Sequence, residues 1–323
     1  MSVSTARIRL FAPGDYENWV AASNRTYPEY PWTVEEMRHG DETFDSSRFF
    51  KLRMVAEEDG AIVGSVETGH RAGRFHPDRY AFDVWVVPER RRRGHGAALH
   101  DAAVKALRER SALAASGATK ESMADGVAFL LKRGWKEQKR DWESRLRVSD
   151  FDLAKFAAAD ERIAREGIRI TTYADELARD PAGAPQRAYE LIEPLRVDVP
   201  STDPATPVTF EEWRKHWIDA PGFLPEAFFV AVDQAGRWVG MSNLQESIED
   251  KSFIWQGLTG VLREARGKGI AMALKLRTVR HAQTLGVDHI KTWNDQKNRP
   301  MLSINEAMGF EKQPAWISFE LAI

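Results

Sequence analysis

The chain has 323 residues, a formal net charge of −2 at pH 7 and no cysteine. This length favours two domains of about 150 residues each, and the balanced charge disfavours a nucleic-acid-binding surface despite the run of four arginines at 90–93. The absence of cysteine excludes disulfides, thiolate metal ligands and a cysteine nucleophile. Because no apolar stretch reaches the length of a signal peptide or a membrane span, we expect a cytoplasmic protein with neither a membrane partner nor a nucleic-acid partner.

The first half predicts a mixed α/β unit. Phe82, Val84 and Val86 alternate along one strand, and the next helix has apolar positions every three or four residues. In chain order we predict a strand at 7–11, helices at 16–23 and 33–38, strands at 50–56 and 61–68, a strand at 82–86 and its helix, a strand near 113, a helix at 121–133 and a closing hairpin. The order is β, α, α, β, β, β, α, β, α, β.

The second half repeats this order. Arg91 and Gly94 match Arg266 and Gly269 at an offset of 175 residues. The first strands of the two copies, at 7–10 and 167–170, are offset by only 160 residues, so the second copy has about 16 additional residues after its first strand. We therefore predict an N-terminal domain at 1–148, a helical linker at 149–166 and a C-terminal domain at 167–323.

The additional residues fall within 193–225, a segment with six prolines. A long loop of this kind is more often functional than idle, so its acidic and aromatic side chains are candidates for binding a substrate ammonium on a partly apolar body. The candidates are Asp198, Asp203, Trp213, Trp217, Asp219 and Phe223. The alternative is a surface loop that packs on its own short helix at 209–217.

Each copy has an apolar strand, a basic glycine turn and then a helix. A dinucleotide fingerprint needs a third glycine where Leu99 and Met272 stand, and a P-loop needs a hydroxyl shortly after Lys268, where Gly269 and Ile270 follow instead. What remains is Arg-x-x-Gly-x-Gly at 91–96 and Arg-x-x-Gly-x-Ala at 266–271. Backbone N–H groups that converge at a helix N-terminus favour phosphate, so the sequence predicts two phosphate-binding turns.

These turns resemble the pyrophosphate loop of the GNAT superfamily of N-acetyltransferases. The second copy adds a segment at 292–301 and a helix that ends in Gly309-Phe310, which look like the fifth strand and fourth helix of that family. Each half of the chain carries the resemblance, so the two copies together cover nearly the whole chain. It implies a mixed α/β sheet in each of two tandem GNAT domains, as in the mycothiol synthases, and acetyl-CoA as the cofactor.

The resemblance also implies which residues bind coenzyme A. In the first copy they are Val86, Val87, Arg91, Arg92, Arg93, Gly94, His95 and Gly96; in the second they are Val261, Arg266, Gly267, Lys268, Gly269, Ile270, Ala271, Asn294, Asn298 and Met301. The backbone from Thr259 to Val261, and from Val84 to Val86 in the first copy, would polarise the thioester carbonyl. Asn298 is alternatively a helix N-cap, and His95 is alternatively an exposed loop histidine.

Two catalytic positions of the family are changed here. Asn305 and Leu130 stand where relatives carry a tyrosine that protonates the leaving thiolate, and Trp255 and Tyr80 stand where some carry a glutamate base. Glu246, at the end of the third strand of the second copy, is a candidate base, and Asp83 is its counterpart in the first copy. The alternative for both is a solvated carboxylate.

The implied activity is acetyl transfer to the primary amine of a small molecule: an amino acid, an amino sugar, a polyamine or an amine antibiotic. Trp213, Trp217, Phe223 and Trp255 are the predicted substrate residues. Because Met123 replaces Asn298 in the first copy, we expect the second copy to carry the chemistry. A coenzyme A-binding regulatory protein without catalysis and a protein lysine or N-terminal acetyltransferase are the alternatives. We expect no metal site, because the histidines are scattered, and a monomer or homodimer.

Overall fold

The computed structural model describes residues 6–323. They form two compact units. Unit 1 comprises 6–140, Thr202–Thr206 and Ala315–Ile323, and unit 2 comprises Asp141–Ser201 and Pro207–Pro314. Among the described residues, none of the helices combines the length and the apolar character that a membrane span requires.

The first ten elements follow the predicted order. They are β1 (Arg7–Leu10), α1 (Tyr16–Thr26), α2 (Val34–Glu42), β2 (Lys51–Glu58), β3 (Ala61–Gly69), β4 (Arg79–Val86), α3 (His95–Glu109), β5 (Ala114–Lys120), α4 (Ala124–Lys132) and β6 (Lys136–Arg147). The remaining elements are α5 (Ala158–Arg165), β7 (Arg169–Thr172), α6 (Tyr173–Arg179), α7 (Gly183–Val197), α8 (Phe210–Trp217), β8 (Phe223–Val232), β9 (Trp238–Glu246), β10 (Phe253–Val261), α9 (Ile270–Leu285), β11 (His289–Asp295), α10 (Arg299–Ala307), β12 (Glu311–Lys312) and β13 (Trp316–Ala322).

Each unit has a mixed sheet with one parallel pair. In unit 1 the strand order is β1-β2-β3-β4-β5-β13, with β4 and β5 parallel. In unit 2 the order is β6-β11-β10-β9-β8-β7, with β10 and β11 parallel. The predicted mixed α/β class is confirmed.

The closing hairpin predicted for the first half is wrong. From Asp141 onward β6 pairs with β11 in unit 2, whereas β13 pairs antiparallel with β5 in unit 1, from Trp316 opposite Lys120 to Ala322 opposite Ala114. Each sheet therefore takes its last strand from a distant part of the chain. Apolar alternation identifies a strand but not its partner, which is why the sequence suggests a local hairpin.

The unit boundaries differ from the continuous halves that the repeat suggests. The predicted linker at 149–166 lies wholly within unit 2. Its helix α5 buries Ile163, which is 4% exposed and belongs to the same apolar cluster as Val261 and Ile270. This segment is a packed part of unit 2.

The parallel strands of each unit separate after three residue pairs. β4 and β5 pair only from Arg79–Ala114 to Ala81–Ser116, and β10 and β11 only from Phe253–His289 to Trp255–Lys291. Gly117 lies just past the last pair of unit 1, where a Cβ would come within 2.5 Å of the Phe82 carbonyl oxygen. The divergence leaves the rest of β4 and β10 free of a neighbour on one edge.

Candidate active site

In unit 1, the basic glycine turn leads from β4 into the N-terminus of α3. Gly94 is the N-cap of α3 with φ of 90°, and a Cβ added to it would meet no atom within 4 Å. The first turn of a helix has no intrahelical acceptors for its N–H groups, and within residues 6–323 no other acceptor is found for the amides of 92–97. This open ring of donors suits a phosphate group.

A cleft of about 460 Å³ lies against the divergent part of β4. Its lining residues are Gly40, Phe44, Lys51, Glu67, Thr68, Gly69, His70, Arg71, Ala81, Phe82, Asp83, Gly117, Ala118 and Trp316. Two of its four charged residues, Lys51 and Glu67, are in ion pairs. Lys51 Nζ lies 2.6 Å from the Asp41 carboxylate, and Arg53 bridges Asp41 and Glu67 at 2.7 and 2.5 Å.

Asp83 is the carboxylate of this cleft that lies outside these ion pairs. Within the described part of the chain its side chain forms no ion pair or side-chain hydrogen bond, and it is open to the cleft. Desolvation by the surrounding protein, together with the charge of Glu67 directly opposite on β3, raises the pKa of Asp83 to about 6. A carboxylate with a pKa this close to neutrality is typical of a functional site.

In unit 2, the predicted site residues surround one cavity of about 590 Å³. Those that line it are Thr259, Val261, Arg266, Gly267, Gly269, Ile270, Ala271, Asn298 and Met301. Gly269 is the N-cap of α9 with φ of 87°. Asn298 is the N-cap of α10, which is the alternative role that the sequence predicts for it. Its Oδ1 accepts a hydrogen bond from the Met301 amide at 3.4 Å.

Two residues of the same unit, Arg162 and Asp198, contact the glycine turn of unit 2. The Arg162 guanidinium donates to the Gly267 carbonyl at 2.7 Å, and a Cβ on Gly269 would lie 2.9 Å from Arg162 Cδ. Asp198 accepts from both Arg263 and Arg266 at 2.5 Å. These two arginines hold the pKa of Asp198 down at about 2, so it is a carboxylate at any working pH.

The predicted catalytic side chains of unit 2 do not converge. Glu246 pairs with Lys251 at 2.7 Å and does not line the cavity. Asn305 is buried and donates to Asn294 Oδ1 at 2.6 Å, so these two amides bind each other. Leu258 stands at the position of unit 2 that corresponds to Asp83.

Two of the predicted cofactor residues have buried side chains, and a third is in an ion pair. His95 is 6% exposed with its ring beside Glu58, so the exposed histidine that we considered for this position is excluded. Val87 is also buried and its N–H donates to Val63. Lys268 lies outside the unit 2 cavity and pairs with Glu166 at 3.5 Å.

The predicted substrate residues belong to aromatic clusters rather than to either cavity. Trp213 is 2% exposed and packs against Tyr189, Phe210 and Trp217. Phe223 packs on Tyr173 and Phe228, and Trp255 stacks on Trp293. The acidic candidates are likewise engaged, since Asp203 pairs with Arg79 and Asp219 with Arg214. Helix α8 of the insertion is therefore packed through its aromatic side chains, and Thr202–Thr206 belong to unit 1.

We expect Trp213→Ala to destabilise unit 2 by about 3–5 kcal/mol, because it removes a fully buried indole from the core. Denaturant unfolding followed by tryptophan fluorescence and circular dichroism measures this change. Trp217→Ala is the control, because Trp217 lies on the same helix but is only partly buried. It should lower the free energy of unfolding by less than Trp213→Ala does. A stable Trp213→Ala protein with impaired substrate binding would instead support the substrate role.

Residues 16–135 match the family model described as the acetyltransferase (GNAT) family. The chain is 25% identical to the mycothiol acetyltransferase of Pseudarthrobacter chlorophenolicus over 285 residues, which cover 87% of this chain and 82% of the relative. It is also 25% identical to the mycothiol acetyltransferase of Thermobifida fusca, with 86% and 84% covered.

Among solved structures, a tandem GNAT protein from the clavulanic acid biosynthesis pathway superposes with a TM-score of 0.75 at 19% identity, covering 98% of each chain. A GCN5-related N-acetyltransferase from Sphaerobacter thermophilus superposes with a TM-score of 0.67 at 19% identity, covering 98% of this chain and 95% of the other. At these identities the superpositions establish the fold. Within residues 6–323, no group of three or more histidine, aspartate or glutamate side chains is placed to hold a metal ion. Residues 16–135 therefore match the GNAT acetyltransferase family, and the whole chain shares the fold of a tandem GNAT protein.

Proposed function

We propose that this protein transfers an acetyl group from acetyl-CoA to the primary amine of a small molecule, by direct attack in a ternary complex, and that unit 1 carries the reaction. The observation that carries the proposal is Asp83. It is an unengaged carboxylate with a pKa of about 6, at the point where β4 leaves β5, on the strand that leads into an open glycine turn. This departs from the expectation that the second copy is the catalytic one.

The chain's own groups are suited to each step. The amides of 92–97 and the N-terminus of α3 would hold the pyrophosphate of acetyl-CoA, with Arg91, Arg92 and Arg93 beside them. The bound thioester would supply the activated acetyl group. Asp83 would accept a proton from the substrate ammonium, directly or through a water molecule, and so free the nitrogen lone pair for attack. The backbone of Val84–Val86 would orient the thioester carbonyl.

The composition of the cleft supports a small amine as the acceptor. Lys51 and Arg53 are paired with Asp41 and Glu67, which leaves Asp83 to contact an ammonium in a cleft that the Arg71 guanidinium also lines. Phe44, Phe82 and Trp316 give the cleft an apolar wall, which suits a cation on a partly apolar body.

The lack of a comparable carboxylate in unit 2 is the second line of support. Leu258 cannot accept a proton, and Glu246 is paired with Lys251. The family model also matches within unit 1, at residues 16–135. Unit 1 therefore has a carboxylate outside any ion pair at a position where unit 2 has none.

The proposal is tested by measuring release of the coenzyme A thiol over a panel of amines. The panel contains amino acids, amino sugars, polyamines, amine antibiotics and, because the curated relatives are named mycothiol acetyltransferases, desacetyl mycothiol. A lysine-containing peptide and a peptide with a free N-terminus represent the protein substrates. Coenzyme A binding with no turnover on any amine would favour the regulatory alternative.

We expect Gly94→Glu to lower kcat/KM by about tenfold or more on the active amine, because a carboxylate at the phosphate-binding turn costs at least ~1.4 kcal/mol of binding energy. Gly60→Glu is the matched control: Gly60 also has positive φ and open space around its Cβ, but it lies in the turn between β2 and β3. Activity that survives Gly94→Glu and is abolished by Gly269→Glu would assign the reaction to unit 2.

A further inference from the structure

We infer that the acceptor amine also carries a carboxylate, which Arg71 binds at one end of the unit 1 cleft while Asp83 faces the ammonium at the other. The inference rests on the proposed function, because it names the class of acceptor for the same cleft. It narrows the acceptor from amines in general to amino acids, and it gives a role to a cation that the proposed reaction does not use.

Arg71 is the cationic counterpart of Asp83. Of the four charged residues that line the cleft, Lys51 and Glu67 are in ion pairs, and the other two are of opposite sign. Within residues 6–323, neither Arg71 nor Asp83 forms an ion pair or a side-chain hydrogen bond. A cleft with one unpaired carboxylate and one unpaired guanidinium is complementary in charge to a ligand that carries both an ammonium and a carboxylate.

The surroundings of Arg71 favour a bound anion. Desolvation by the protein lowers the pKa of Arg71, and the charge of Asp203, which acts in the opposite direction, does not offset this effect. Asp203 is itself paired with Arg79 at 3.1 Å. The guanidinium nevertheless stays charged, so it gains from an anionic partner. A carboxylate suits it because two parallel N–H groups of the guanidinium match the two carboxylate oxygens.

The strand register separates the two charges along one surface. Asp83 lies directly opposite Glu67, and the next pair on the same face is Gly69 opposite Ala81. Arg71 follows two residues later with an extended backbone, at φ of −101° and ψ of 108°. The four residues from Glu67 to Arg71 span roughly 13 Å between Cα atoms at about 3.3 Å per residue. Because only a glycine and an alanine lie between the charged residues, there is room for the body of an amino acid.

The loop after Arg71 is anchored by the insertion. Thr202–Thr206 belong to unit 1. Thr206 Oγ1 donates to the Ala72 carbonyl at 2.8 Å and accepts from the Phe75 amide at 3.1 Å. An anchored loop reduces the conformational entropy that is lost when Arg71 binds a ligand. The insertion would therefore contribute to acceptor recognition by holding this loop, rather than through its own acidic side chains.

The test compares kcat/KM for each amino acid with that for its amide and for the amine that lacks the carboxylate, from release of the coenzyme A thiol. One set is L-phenylalanine, L-phenylalaninamide and phenethylamine, and another is L-leucine, L-leucinamide and isoamylamine. Glycine, β-alanine, γ-aminobutyrate and ε-aminocaproate, each with its amide, vary the separation of the two charges. We expect the acid to exceed its amide and amine by about tenfold or more in at least one set.

Variants of Arg71 assign this preference to the guanidinium. Arg71→Gln should lower kcat/KM for the acid by about tenfold more than for its amide, so that the preference is lost. Arg71→Lys keeps the charge without the paired N–H groups and should restore part of it. Arg108→Gln is the control, because Arg108 is an exposed arginine of α3 that does not line the cleft. It should keep the preference of the wild type.

The outcomes separate this inference from the proposed function. If acids, amides and amines react equally well, or if Arg71→Gln lowers kcat/KM equally for all of them, the inference is wrong and amine acetylation stands. Preferred turnover of polyamines over every amino acid would also contradict the inference alone. A protein that binds coenzyme A and acetylates no amine would overturn both.

Discussion

We expect Asp83→Asn to lower kcat/KM for the amine by about 10²- to 10⁴-fold, which is the usual contribution of a general base. The substitution keeps the size and shape of the side chain and removes only its ability to accept a proton. Because desolvation opposes the charged form of Asp83, losing the charge should not destabilise unit 1. Steady-state kinetics and thermal unfolding of the same preparation separate the two effects.

The pH dependence gives an independent check. A base acts when it is deprotonated, so kcat/KM should rise as the pH increases through about 6, the pKa of Asp83, and this limb should disappear in Asp83→Asn. Glu67→Gln removes a negative charge that raises this pKa, so the limb should move to lower pH. An unchanged limb in both variants would mean that another group controls the reaction.

Deleting residues 315–323 should prevent unit 1 from folding, although nothing before residue 141 is altered. The deletion removes β13, and with it Ile317 and Phe319, which are both nearly fully buried in the core of unit 1. It also leaves one edge of β5 without its partner. Losing Phe319 alone costs about 3–5 kcal/mol, which is a large part of the 5–15 kcal/mol that stabilises a typical domain.

Far-ultraviolet circular dichroism, solubility and acetyltransferase activity report on this deletion. A chain that lacks only Ile323 is the control and should fold. A synthetic peptide of residues 314–323 added in trans should restore part of the lost activity if the missing strand is the cause. A deletion variant that melts cooperatively and remains active would show that unit 1 does not depend on β13.

The order of elements was predictable because each has a local signal. The β4 alternation, the glycine turns and the repeat at an offset of about 175 residues all lie within short windows of sequence. The packed helix at 209–217 was also predictable from sequence. Phe210, Trp213 and Trp217 recur at helical spacing and so predict a buried apolar stripe on one face of that helix. The aromatic content of the long loop suggests a substrate role, but the helical spacing of these residues indicates their packing role more directly.

The chemistry of the site depends on contacts between distant residues, which local patterns do not record. Nothing in α5 indicates that Arg162 reaches Gly267, more than 100 residues later, or that Asp198 meets Arg266. Asp83 was recognisable as a charged residue in an apolar strand, but its raised pKa comes from the cleft and from Glu67 on the neighbouring strand. Sequence spacing identified the turns, but the contacts that their side chains form come from distant parts of the chain.

Because β13 is the last strand of the chain but completes the sheet of unit 1, unit 1 cannot finish folding until nearly all of the protein has been synthesised. About 200 residues separate β5 from the strand that completes it, and at a synthesis rate of about 5–20 residues per second the ribosome needs roughly 10–40 s to reach that strand. During this interval the edge of β5 has unpaired backbone donors and acceptors, which is the kind of surface that pairs with other chains. Unit 2 can therefore complete its sheet before unit 1 does, and the yield of folded protein should depend on keeping β5 apart from other nascent chains until β13 emerges.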